Sequence, residues 1–87
     1  MPIQINTEPV IVIDGEVVVK NQGGLNKLPG GELRFGESLE HSCIKRAGEN
    51  NLKIKIIKPL SPSISWVSEK GDIVPKVSIN YLAKIDR

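Results

Sequence analysis

Cysteine, histidine and aromatic side chains are almost missing from this 87-residue chain, which has one Cys, one His and one each of Phe, Trp and Tyr. A lone cysteine, Cys43, excludes an internal disulfide. Together with His41 it cannot assemble a structural zinc site, which takes four Cys or His ligands. There is no surplus of either charge: 12 Lys and Arg stand against 10 Asp and Glu, for a net charge of +2. The lysines are scattered from Lys20 to Lys84, without the basic stripe that nucleic-acid binding calls for, so nucleic acid is not an expected partner. No apolar run approaches membrane-spanning length, and the first residues lack a charged-then-apolar signal pattern. The expectation is a soluble, cytoplasmic protein that does not engage a membrane.

What is present is the composition of a small globular domain, 39% hydrophobic and 25% charged. A chain of this length makes one domain, residues 1–87, and buries only about 60–65% of the surface it exposes when unfolded. Its core is thin enough for a second subunit to contribute. Abundant isoleucine and lysine with scarce glutamine point toward a thermophile.

Along the chain, residues 1–9 carry Pro2 and Pro9 and read as an irregular or edge segment. Val10, Ile11, Val12 and Ile13 form a β-branched run, and Asp14-Gly15 is the hairpin signal before a returning strand over 16–20. Residues 21–26, with Gly23-Gly24, read as a flexible loop. A glycine- and proline-punctuated stretch follows to Ser38, and alternation at Leu33 and Phe35 suggests a short strand inside it. Ser38 is a suitable N-cap for a helix over 39–50, with Leu39, Cys43 and Ala47 as its apolar stripe and Ile44 widening it. Gly48 is a poor helix former, and Asn50-Asn51 supplies the stop. Alternation at 53–57 gives a strand that Pro59 and Pro62 interrupt. It resumes at Ile64 and Trp66, turns at residues 69–72, and a last strand runs through Val77 and Ile79 to about Ile85. Hairpin, glycine loop, helix, strand and strand describe an α+β domain with a mixed or antiparallel sheet and one central helix.

Residues 28–52, LPGGELRFGESLEHSCIKRAGENNL, resemble the Nudix box, whose pattern is Gly, five residues, Glu, seven residues, then Arg-Glu-apolar-x-Glu-Glu-x-Gly-apolar. Gly31, five residues and Glu37 match the first half, and LPGG and FGES are forms the family often shows. The second half departs. Straight counting puts Lys45 at the Arg position, Arg46 at the first Glu, Glu49 and Asn50 at the Glu pair, and Leu52 at the Gly. A one-residue deletion instead aligns Glu49-Asn50-Asn51-Leu52 with the terminal Glu-x-Gly-apolar. Either way one helix carboxylate survives.

The resemblance implies a Nudix-like mixed sheet with one central helix, truncated relative to the family's α/β/α sandwich by the absence of the usual C-terminal strands and helix. A symmetric homodimer is the simplest way to cover the face that such a helix would bury. It also implies a site where Mg²⁺ or Mn²⁺ neutralises a diphosphate and activates water. Gly31 through its carbonyl, Glu37 and Glu49 are the candidate metal ligands, with Glu49 also the candidate catalytic carboxylate. Hard divalent ions want oxygen ligands, usually including carboxylates. The helix face carrying 46, 49 and 50 is close to neutral here, so the ion is expected to bind weakly if at all. Gly30 and Arg46 are candidates for substrate binding, a guanidinium being able to grip phosphate without metal.

Each residue also has a plainer reading. Arg46 makes a surface pair with Glu49, the carboxylates are surface groups, and the glycines only shape a turn. His41 lies on the helix's outer face, Cys43 packs in the core, and Trp66 and Tyr81 either stack on a base or pack in the core or an interface. Two functions fit: a Nudix-type hydrolase on a nucleoside diphosphate linked to another moiety, with impaired metal-dependent catalysis, or a non-catalytic Nudix-like nucleotide-binding or regulatory dimerisation module.

Overall fold

The computed structural model describes residues 3–86. Its elements are β1 (Gln4–Ile13), β2 (Glu16–Val17), β3 (Lys20–Gln22), β4 (Leu25–Lys27), β5 (Gly31–Glu32), α1 (Leu39–Glu49), β6 (Ile54–Pro59), β7 (Ser63–Glu69) and β8 (Asp72–Ile85). This is a mixed sheet with a single helix, the α+β architecture expected. The main sheet is built on two long neighbours, β1 and β8, which run parallel from Gln4↔Lys76 to Ile11↔Ala83. On the far side of β8, β7 covers its first half and β6 its second, both antiparallel. On the far side of β1 lie β5 and β2.

Of the segment 1–9 expected to be irregular or an edge, Pro2 lies outside the described residues. The described part from Gln4 onward is not an edge segment but half of a central strand, and Pro9 sits inside it, fully buried. The backbone shows why a proline is tolerated. Leu33 N–H donates to the Ile5 carbonyl and Val18 N–H to the Ile11 carbonyl, so the odd residues of β1 turn their backbone groups away from β8. Pro9 falls in the gap between the β5 pairing at Asn6 and Thr7 and the β2 pairing at Val12 and Ile13. No neighbour asks for the donor it lacks.

Alternation along β1 and β8 puts Thr7, Pro9, Ile11, Ile79, Tyr81 and Ala83 on one face, and α1 lies across it. Ile11, Cys43, Ala47, Ile54, Tyr81 and Ala83 form the core, with Val18, Leu52, Ile56, Ile79 and Ile85 packed around it. Burying a side chain such as Ile11 contributes about 2–3 kcal/mol. Cys43 is a buried packing residue as expected, and Tyr81 joins it. Trp66 does not; it is 66% exposed.

Two further expectations need correcting. Residues 21–26 are a second tight hairpin, β3–β4, turned on Gly23 and Gly24 at φ 61° and 82°. Positive φ at both central residues is what a two-residue turn needs, so the glycines mark a turn rather than mobility. The short strand in the glycine stretch is Gly31–Glu32, two residues before the expected alternation, and Phe35 is fully exposed. The Asp14-Gly15 hairpin and the turn at residues 69–72 are where the sequence places them.

Candidate functional site

The loop between β5 and α1 is shaped by its own hydrogen bonds. Glu37 N–H donates to the Arg34 carbonyl at 3.2 Å and closes a turn with Gly36 at φ 84°. In return Arg34 N–H donates to Glu37 Oε1 at 2.9 Å. Ser38 then caps α1, its hydroxyl accepting from His41 N–H at 3.2 Å. Upstream, Gly30 is wedged against β1: a Cβ there would collide with the Thr7 carbonyl oxygen and lie 2.7 Å from Glu8 Cα. Only glycine lets the loop pass this close to the sheet.

The far end of α1 decides between the two alignments of the box. Asn51 has φ 63°, its N–H donates to the Gly48 carbonyl, and Leu52 N–H reaches back to the Ala47 carbonyl, both at 3.0 Å. This is a Schellman stop, with Asn51 in the left-handed position that usually takes glycine and Leu52 turning back onto the core. Asn51-Leu52 therefore fills the Gly-apolar place, and the shorter register holds. In that register Arg46 faces inward.

Arg46 is accordingly buried, with its side chain 4% exposed, which corrects the expectation of a surface pair with Glu49. Its stem lies over Gly31, where a Cβ would come within 3.1 Å of Arg46 Cδ. Its head is enclosed by the loop. Nη2 donates to Glu37 Oε2 at 3.0 Å and Nη1 to the Glu32 carbonyl at 3.4 Å. Nε lies 3.5 Å from Glu49 Oε1, buried and without a hydrogen bond, so that contact is electrostatic. The other oxygen of Glu49 pairs with Arg34 Nη1 at 3.4 Å across a half-exposed surface. Asn50 Nδ2 donates to the Arg46 carbonyl at 3.0 Å and reaches the Pro29 carbonyl at 3.5 Å, tying the helix end to the loop start.

Glu37 is held ionised. The Arg34 backbone N–H is the largest cause, with the Arg46, Lys45 and Arg34 charges adding to it against partial burial, and the carboxyl pKa lies below its ordinary value. Cys43 goes the other way: burial chiefly, with the Glu8 charge, pushes the thiol up to about 12. It is neutral and inert at physiological pH.

The fold brings Gly31, Glu37, Glu49 and Arg46 together, but in an order that leaves little for a cation. Glu37 and Glu49 converge on a guanidinium. Gly31 is paired with Thr7 in the β1–β5 ladder, and the alternation set by the Leu33–Ile5 bond turns its carbonyl toward that strand. Among the described residues no three His, Cys, Asp or Glu side chains gather in a way that would hold a metal ion. These residues do not fit a hard divalent ion, because a fixed positive charge already stands where the carboxylates meet. Sequence reasoning passed over Arg34, whose backbone and side chain serve Glu37 and Glu49 respectively. It also passed over the buried Thr7 Oγ1···Ser42 Oγ bond of 2.9 Å that seats α1 on β1. The Arg34–Glu49 and Thr7–Ser42 pairings join residues distant in sequence, while the Arg34–Glu37 contact is local, three residues apart. His41 is solvent-exposed, as expected. Among the described residues no helix is long and apolar enough to cross a membrane.

A mixed sheet carrying one helix, with a glycine-rich loop leading into that helix, is the architecture this chain shares with solved Nudix hydrolases. The chain superimposes on the NUDIX hydrolase from Nitrosomonas europaea with a TM-score of 0.73 at 16% identity, over 97% of this chain and 60% of that one. It is also similar to the Ap4A hydrolase of C. elegans (TM-score 0.68, 19% identity, 99% of this chain and 70% of that one). A MutT NUDIX hydrolase from Burkholderia pseudomallei gives 0.68 at 20% identity, over 97% of this chain and 68% of that one. The chain thus spans 60–70% of the length of these three structures. No family model matches the sequence, and a comparison with curated proteins finds no match.

Proposed function

We propose that this chain is a Nudix-type hydrolase-like domain for a nucleoside diphosphate linked to another moiety, with metal-dependent catalysis impaired. One observation carries the reading: the buried Arg46 guanidinium sits between Glu37 and Glu49, at 3.0 and 3.5 Å. A divalent ion at that point would have to displace a charge that cannot be neutralised, since arginine stays protonated at any accessible pH. Close packing of Gly30 and Gly31 against β1 and the Arg46 stem supports a loop that still approaches a diphosphate ligand. Arg46 itself turns its N–H groups into the protein, so a ligand phosphate meets first the exposed Arg34.

The companion reading, a nucleotide-binding module without hydrolysis, draws on the same pairing and differs only in whether residual turnover survives. Calorimetric titration with Mn²⁺, followed by phosphate release from a panel of nucleoside-diphosphate derivatives, tests both. The expected result is no saturable Mn²⁺ binding below millimolar and turnover at most barely above background. Micromolar Mn²⁺ binding, with turnover abolished by Glu49→Gln, would overturn the proposal and restore Glu49 as a catalytic metal ligand.

A further inference from the structure

We infer that β7 is a self-pairing edge, through which two copies of this chain join their sheets antiparallel about a two-fold axis at Trp66. β7 has β8 on one side and no strand on the other among the described residues. Proteins ordinarily blunt such an edge with lysine, proline or a bulge. Ser63–Glu69, with the sequence SISWVSE, has none of these, and its register with β8 is unbroken over all seven pairs. Ile64 and Trp66 are 65% and 66% exposed, and Ile73, opposite Ser68, is 61% exposed. All three point to the same face of the sheet.

The backbone says which groups are free. Lys70 and Gly71, at φ 50° and 84°, form a two-residue turn closed by Glu69 and Asp72. Such a turn is closed by a hydrogen-bonded pair, and the pairs then alternate. Glu69, Val67, Ser65 and Ser63 therefore bond to β8. Trp66 faces Pro75, which has no N–H to give, in an unbonded position as required. The N–H and C=O groups of Ile64, Trp66 and Ser68 point outward, a row of donors and acceptors that only another extended strand can match.

The strand's own sequence identifies that partner as a second copy. An antiparallel two-fold sets outward groups against outward groups when it passes through any residue of β7, outward or inward. An axis at Ser65 would set Pro62 against Ser68 and lose a donor, and one at Val67 would set Ile64 against the Lys70 turn. An axis at Ile64 would set Pro62 against Trp66 and lose a donor. An axis at Ser68 would set the Lys70 turn against Trp66. An axis at Trp66 pairs Trp66 with itself and Ile64 with Ser68, and satisfies all three outward residues on each chain. It also sets Glu69 opposite Ser63, so the two glutamates lie at opposite ends and do not repel. The Gln4 Nε2 bond to Glu69 Oε2 at 2.7 Å holds the hairpin in place for this docking.

Light scattering across a concentration series tests the interface, with ¹⁵N-detected amide exchange as a readout that needs no substitution. The expected result is a mass rising from the 9.5 kDa of one chain to twice that value. Exchange at Ile64, Trp66 and Ser68 should slow at least tenfold with concentration, while exchange at Ser65 and Val67 is slow throughout. Trp66→Lys, at an exposed position, should stay at 9.5 kDa with an unchanged circular dichroism spectrum. A chain that stays monomeric to millimolar concentration, or a dimer whose Ile64, Trp66 and Ser68 amides exchange at the monomer rate, would overturn the inference. The metal titration proposed above involves neither β7 nor Trp66, so failure of one reading leaves the other standing.

Discussion

Arg46 occupies a helical position whose burial would ordinarily be paid for with an apolar side chain. An unpaired guanidinium there would carry a desolvation cost of several kcal/mol, which Glu37, the Glu32 carbonyl and Glu49 offset at 3.0, 3.4 and 3.5 Å. The arrangement depends on Glu37 staying ionised, and its pKa is depressed by the Arg34 N–H first and the neighbouring cations after it. The sign follows from linkage. A group whose folded pKa lies below its unfolded value contributes stability that is complete above the unfolded value, roughly 4.3, and is lost as pH falls through the folded one. Thermal melts between pH 7 and pH 2.5 should therefore show a decline beginning near pH 4 that is shallower in Glu37→Gln. Equal slopes for the two proteins would show that Glu37 is not the group being protonated. Cys43, pushed up to about 12 by burial, should react with a thiol reagent only at the rate of global unfolding.

The helix shows which parts of the element were legible and which were not. Its start was, because a serine before a run of helix formers is a local signal, and Ser38 caps α1 as expected. Its stripe was not. The apolar spacing of Leu39, Cys43 and Ala47 suggests one face, but the buried residues are Ser42, Cys43, Arg46 and Ala47. Leu39 and Ile44 are 38% and 42% exposed. The buried face is rotated because Ser42 and Arg46 find partners in Thr7 and Glu37, contacts that periodicity cannot contain. Pro9 was misplaced for a similar reason: a proline reads as an edge until the gap between β5 and β2 is known. The helix end was half legible, since Asn50-Asn51 gave the stop but not the register. The Schellman geometry makes a direct prediction. Asn51→Ala should cost about 1 kcal/mol, because a β-carbon without a compensating amide is strained in the left-handed region. Asn51→Gly should change stability by only a few tenths. Chemical denaturation of the three proteins measures this, and an Asn51→Ala variant as stable as the parent would contradict the assigned stop.

At the scale of the whole molecule, the architecture matches Nudix hydrolases at 16–20% identity while the charges inside the loop and helix differ from those the resemblance implies. The two are separable because the fold rests on β1, β8 and the packed face of α1. The site rests on whether the space between Glu37 and Glu49 holds a fixed cation or room for a free one. Reversing that charge should link the stability of the entire domain to a metal. In Arg46→Glu the guanidinium is gone and a third carboxylate stands at the rim of the space it leaves, beside Glu37 and Glu49. Without metal the three repel and the variant should melt below the parent. With Mn²⁺, binding to the folded state alone adds about 2.7 kcal/mol at a hundred times the dissociation constant. For a domain of this size that is a rise of roughly 10–20 °C. The parent should show no such rise at matched ionic strength, because its own arginine already neutralises the site. If Mn²⁺ stabilised the parent as much as the variant, Arg46 would not be standing in the ion's place, and the proposed impairment of metal binding would fall.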